Sequence, residues 1–106
     1  MDNLKNWGIH YISNRTVGPT DAVMFDIDDT LIFKNGRPNT PIIELLYKAK
    51  HLGYKIVCDY LVFTSAETKL LMKQKLPYNF ILSVGDLPTD LTGSKHYLNI
   101  SSFDHN

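Results

Sequence analysis

The sequence predicts a small open α/β fold of three layers, a short parallel sheet flanked by crossover helices. Three observations predict it. Apolar runs of strand length occur near residues 22–27, 54–63 and 79–84, and stretches of helical character separate them. The connections are short, so the order β-α-β-α-β is that of parallel strands joined by right-handed crossovers. Two of the apolar runs also end in aspartates, where open sheets of this kind bind ligands.

Residues 1–20 are a lead-in segment, and residues 21–106 are expected to form a single core domain without a cap. In the lead-in, Leu4, Trp7, Tyr11 and Ile12 line one side of a short helix before Gly18-Pro19 breaks the chain. Ala22 to Ile27 is the first strand, and Asp21 belongs at its far end. Lys34-Asn35-Gly36-Arg37-Pro38 is turn material. Thr40-Pro41 then has the residue types of an N-cap and first helical position. Ile42, Leu45, Leu46 and Ala49 mark that helix's buried face, and Gly53 follows its end.

Tyr54 to Phe63 is rich in strand formers but interrupted by Asp59, and it exceeds the usual strand of about five or six residues. It reads either as one kinked strand or as two short segments run together, Lys55–Val57 and Tyr60–Phe63. Thr64-Ser65 with Glu67 resembles a helix start, and the helix would run to about Leu76, where Pro77 stops it. Asn79 to Val84 is a strand ending in Gly85-Asp86. Tyr97 to Ile100 is a short edge strand before a polar tail.

The bulk numbers bound the chemistry. At 106 residues and 43% hydrophobic, the chain supports one domain with one core. Eleven basic and eleven acidic side chains cancel, which offers no charge-based case for nucleic acid or an anionic membrane. Cys58 is the single cysteine, so an intrachain disulfide and a cysteine-built zinc site are excluded. The start has no signal-peptide pattern, and no window approaches the ~18 apolar residues of a membrane span. A soluble, cytoplasmic protein is expected. His10, His51, His96 and His105 show neither metal nor triad spacing and read as surface or partly buried residues.

The chemistry concentrates in Asp26-Ile27-Asp28-Asp29-Thr30, directly after Val23-Met24-Phe25. In an extended chain, residues two apart share a side, so Asp26 and Asp28 converge past the strand end. Clustered carboxylates repel one another and call for a cation. Asp29 faces the other way and reads as solvated or helix-capping. Gly85-Asp86, with Asp90 four residues on, follows a second apolar strand. Parallel strands share a carboxyl edge, which brings Asp86 towards Asp26 and Asp28. Such a gathering of oxygen donors suits Mg²⁺, which keeps waters that a phosphate can replace.

With these motifs the chain resembles the haloacid dehalogenase-like (HAD-like) hydrolases, which have a Rossmann-like core. Phe25-Asp26-Ile27-Asp28-Asp29-Thr30-Leu31 resembles the family's first motif, and Val84-Gly85-Asp86 with Asp90 resembles its fourth. The nearest likeness is to the capless, acid-phosphatase-like branch, and it covers roughly residues 21 to 100. The resemblance implies that Asp26 is the nucleophile and Asp28 the acid and base. It implies Mg²⁺ held by Asp26, Asp28, Asp86 and Asp90, and Thr30 near the substrate.

The family's second motif is a Thr or Ser ending the next strand, and its third is a lysine near a later helix start. Between Gly53 and Asn79 there is room for only one strand–helix unit, so the core looks one unit short. In one reading Thr64 or Ser65 supplies the hydroxyl and Lys69 or Lys73 the lysine. In the preferred reading Lys55–Val57 is the stump of the second-motif strand and Asp59–Phe63 is the following strand. That leaves the hydroxyl missing and Lys69 the better lysine, with Lys73 and Lys75 as alternatives.

The expected activity is Mg²⁺-dependent hydrolysis of phosphomonoesters through an aspartyl-phosphate. The substrate would be a phosphorylated small molecule or the phosphorylated end of a macromolecule. The competing expectation is a shortened, catalytically impaired relative that binds metal or a phosphorylated ligand, or acts through protein contacts. Exposed sheet edges in a core lacking one unit would also favour a homodimer.

Overall fold

The computed structural model describes residues 1–27, 29–59, 76–85 and 94–100. Its framework begins with β1, Asp21–Asp26, whose residues from Asp21 to Phe25 are all buried. Val23 and Phe25 join one hydrophobic cluster, whereas Ala22 and Met24 join another. That division is the alternation of a strand with both faces covered, as a central parallel strand requires.

Strand β2, Lys55–Asp59, pairs in parallel with one side of β1, and β3, Asn79–Gly85, with the other. Strand β4 (His96–Asn99) pairs in parallel with β3, giving among the described residues a four-stranded sheet of order β2-β1-β3-β4. Between Ala22 and Val23 the register with β3 skips one residue, from Phe80 to Leu82. The extra residue, Ile81, lets Ile81 and Leu82 both enter the larger cluster while Phe80 joins the smaller.

Two helices cover the face that carries Val23 and Phe25. The first, α1 (Asp2–Ser13), buries Leu4, Gly8 and Ile12, one residue in four along a single stripe. The second, α2 (Thr40–Leu52), buries Ile42, Leu45 and Ala49. Only the step from β1 to β2 runs in the direction that carries a right-handed crossover onto this face. The crossover helix α2 therefore cannot cover the whole face, and α1 supplies the remainder beside β3 and β4. Tyr11 Oη donates to the Ile81 carbonyl at 3.2 Å, and Tyr54 Oη to the Ile12 carbonyl at 2.7 Å. Gly8 permits this close fit, because a Cβ there would lie 2.8 Å from Leu45 Cδ2 and 3.1 Å from Leu98 Cδ1.

Several expectations are corrected. Trp7 is not on the buried stripe. It is 45% exposed and stacks on Tyr11 with ring centroids 5.5 Å apart, because Leu4, Gly8 and Ile12 face the core instead. Thr40 does not cap α2. Asn39 holds that position and accepts from the Ile42 and Ile43 N–H groups with its carbonyl, so Thr40 and Pro41 lie inside the first turn. Asp21 does not precede the first strand but is its first residue.

The strand in the second apolar run does not stop at Val57. Val57, Cys58 and Asp59 continue the ladder opposite Met24, Phe25 and Asp26. Residues 60–75, including the expected helix from Thr64, lie outside the described residues. At the end of α2, Gly53 takes the left-handed conformation (φ 101°) and returns its N–H to the last turn, turning the chain into β2. Among the described residues, no helix is long and apolar enough to cross a membrane.

Candidate active site

The strand order places a topological switch beside β1. The chain moves from β1 to β2 on one side, then appears in β3 on the other. In open sheets of this kind the ligand crevice lies outside the carboxyl ends of the strands at such a switch. Asp26 is the last residue of β1 and is half-buried. Its register partner in β2 is Asp59, and the preceding pair across β3 is Phe25 with Val84, one residue before Gly85 ends that strand. The carboxyl ends of three adjacent strands thus meet around Asp26.

The chain leaves β1 through a tight turn. The N–H groups of Thr30, Leu31 and Ile32 all point to the Ile27 carbonyl, at 3.3, 3.0 and 3.1 Å, and Asp29 N–H donates to the Ile32 carbonyl at 2.8 Å. Asp29 adopts φ 61°, a left-handed conformation that Asp tolerates better than most residues. Its backbone belongs to this turn rather than to a helix cap.

Beyond the turn, Asn39 ties the structure back. Its side-chain amide donates to the Thr30 carbonyl at 2.8 Å, and its backbone N–H to the Leu31 carbonyl at 2.8 Å. Thr30 and Asn39 are both fully buried, yet among the described residues Thr30 Oγ1 and Asn39 Oδ1 have no hydrogen-bond partner. Buried oxygens without partners are rare and cluster where function outweighs stability. Replacing Thr30 by Val is therefore expected to leave stability unchanged or to raise it by up to ~1 kcal/mol, measured as a shift in urea midpoint. A loss of stability larger than that would mean the hydroxyl is bonded in the folded chain.

Of the residues singled out from sequence, Asp26 and Thr30 lie at this edge. Asp28, Thr64, Ser65, Lys69, Asp86 and Asp90 lie outside the described residues, as do Lys73 and Lys75. Among the described residues, no three His, Cys, Asp or Glu side chains gather as a metal group. His10, His51 and His96 are exposed, as expected. Burial pushes the Cys58 thiol above its ordinary range, so at neutral pH it is a protonated, half-buried packing group rather than a nucleophile.

Sequence reasoning missed two participants, Asp59 as a neighbour of Asp26 and Asn39 as the tie behind Thr30. The signal for Asp59 was present. Ile56-Val57-Cys58-Asp59 repeats the pattern of Val23-Met24-Phe25-Asp26, and equal patterns on adjacent parallel strands end together. Asn39 carried no comparable signal, because its partner lies across a loop.

Comparison of the sequence with models of known protein families and with curated proteins gives no match.

Proposed function

We propose that the chain is a Mg²⁺-dependent phosphomonoester hydrolase of the HAD-like type, acting through an aspartyl-phosphate on Asp26. The observation that carries this reading is the position of Asp26. It ends the central strand at the topological switch, directly before a turn that folds back on the Ile27 carbonyl. A carboxylate there can reach a ligand held above the sheet edge.

The chemistry follows from residue types and from the family resemblance. The Asp26 carboxylate attacks phosphorus while the ester oxygen leaves with a proton from Asp28. Asp28 then takes a proton from water as that water attacks the acyl phosphate, which frees inorganic phosphate and regenerates the Asp26 carboxylate. The donor set that the resemblance implies, four aspartates, fits a hard cation, which takes oxygen ligands. Asp26, Asp28, Asp86 and Asp90 would hold Mg²⁺, whose charge offsets the repulsion between the nucleophile and the phosphate.

A specific observation favours a second reading. The strand beside β1 ends in Asp59, where the resemblance calls for a Thr or Ser. By residue type, an aspartate at that register position has no hydroxyl to donate to a phosphoryl group. This supports a shortened relative that keeps a metal or phosphate site but turns over poorly. Release of phosphate from p-nitrophenyl phosphate, assayed with Mg²⁺ and with a chelator, separates the two. Mg²⁺-dependent release supports the hydrolase. Mg²⁺ binding without release favours the impaired relative.

A further inference from the structure

A short hairpin follows the turn after β1 and carries two cations that have no side-chain partner among the described residues. Ile32 and Pro38 form an antiparallel bridge at its base. Phe33 N–H donates to the Arg37 carbonyl at 2.8 Å, and Gly36 N–H to the Phe33 carbonyl at 2.9 Å. Asn35 Oδ1 accepts from the Arg37 N–H at 2.9 Å, which closes the tip with a side-chain turn. The hairpin is thus held by its own backbone. Its base is one hydrogen bond from the residue after Asp26, since Ile32 N–H reaches the Ile27 carbonyl.

Lys34 and Arg37 stand on this tip, and both are exposed. Lys5 pairs with Glu44, and Arg15 with Asp21. By contrast, neither Lys34 nor Arg37 forms an ion pair or a side-chain hydrogen bond with any described residue. Between Ile32 and Asn39 there is no acidic residue to offset them. From Ile32 to Lys34 the backbone spans at most about 7 Å, so these long side chains remain within reach of a ligand seated over Asp26. A chain of zero net charge has therefore placed near Asp26 two cations that are unpaired among the described residues.

We infer that Lys34 and Arg37 form a second anion subsite and select phosphomonoesters whose leaving part carries another phosphate. The inference rests on the reading of Asp26 as the phosphate-reacting group and names a substrate class for it. Arg37 offers a planar fork to phosphate oxygens and Lys34 a mobile point charge, so together they can meet a second dianion without a built pocket. The first phosphate would sit over Asp26 and the second under the hairpin tip. A monophosphate would fill the first place alone.

The test compares adenosine 3′,5′-bisphosphate with adenosine 5′-monophosphate by calorimetric titration of the wild-type chain with Ca²⁺ in place of Mg²⁺, a hard cation that the same carboxylates can hold beside the first phosphate. Two solvent-exposed charge contacts predict about tenfold tighter binding of the bisphosphate. That ratio should shrink when salt rises from about 0.05 M to about 0.5 M. In Lys34→Ala/Arg37→Ala the ratio should fall towards one, and in Lys34→Arg it should persist. An unchanged melting temperature in each variant shows that the hairpin change has not unfolded the chain. Equal affinities for the two ligands in the wild type, or a tenfold preference that survives the double substitution, would overturn the inference. A preference for the bisphosphate in a chain that releases no phosphate would leave the subsite standing and remove the hydrolase reading.

Discussion

Asp26→Asn is expected to lower Mg²⁺-dependent phosphate release by about 10³-fold or more, with the fold intact. The amide has nearly the shape of the carboxylate but cannot attack phosphorus. Asp26 closes β1 through backbone pairing, with Asp59 as its register partner, and that ladder does not depend on side-chain charge. The residue is half-buried, so the exchange opens no cavity in the core. Circular dichroism and the melting temperature should match the wild type within a few degrees. Release by the Asp26→Asn protein at the native rate would refute the aspartyl-phosphate mechanism, whichever substrate is used.

The second large effect lies at the opposite end of the same strand and concerns stability alone. Asp21 is buried and accepts three hydrogen bonds. They come from the Gly18 N–H at 2.8 Å, the Asn79 side-chain amide at 2.9 Å and the Arg15 guanidinium at 2.9 Å. It thereby pins the loop after α1 and the start of β3 to the start of β1. Asp21→Ala leaves Arg15 and the Gly18 N–H without their acceptor and is expected to cost about 3 kcal/mol, read as a shift in urea midpoint. A cost below ~1 kcal/mol would show that the loop re-forms around another partner.

The same contact fixes a pH dependence. The Gly18 N–H, then the Asn79 amide and Arg15, hold the Asp21 carboxyl below its ordinary range and outweigh the opposing effect of burial. Its folded value therefore lies below its unfolded value of about 4. The stabilisation is complete above that unfolded value and is lost as pH falls through the folded one. Stability should change little from this group between about pH 5 and pH 7, then decline in acid. Asp21→Asn should remove that part of the acid-side decline. An unaltered acid profile in the variant would assign the decline to other carboxylates.

Much of the scaffold was legible because its signals are local. The continuous apolar run in 22–25, the apolar spacing in 42–49 with Gly53 after it, and the β-rich run before Gly85 each act within a few residues. They led to β1, α2 and β3 almost at their observed bounds. The misplacements came from partners distant in sequence. Trp7 is an apolar residue on a helix, yet Gly8 holds the buried stripe because Leu45 and Leu98 approach there. Thr40 is a good cap by type, yet Asn39 takes the position because its side chain also reaches Thr30.

For the candidate site, the sequence by itself determined the chemistry on offer: an aspartate at the end of an apolar strand, further aspartates beyond it, and no competing thiol or histidine cluster. These are properties of residue type and short spacing, which no packing can alter. Only the tertiary structure decided which strands stand beside Asp26. The order β2-β1-β3-β4 makes β1 central and brings Asp59 level with Asp26. Such neighbours follow from pairing between residues some thirty to sixty positions apart. That pairing is selected by burial of both sheet faces rather than by any local preference.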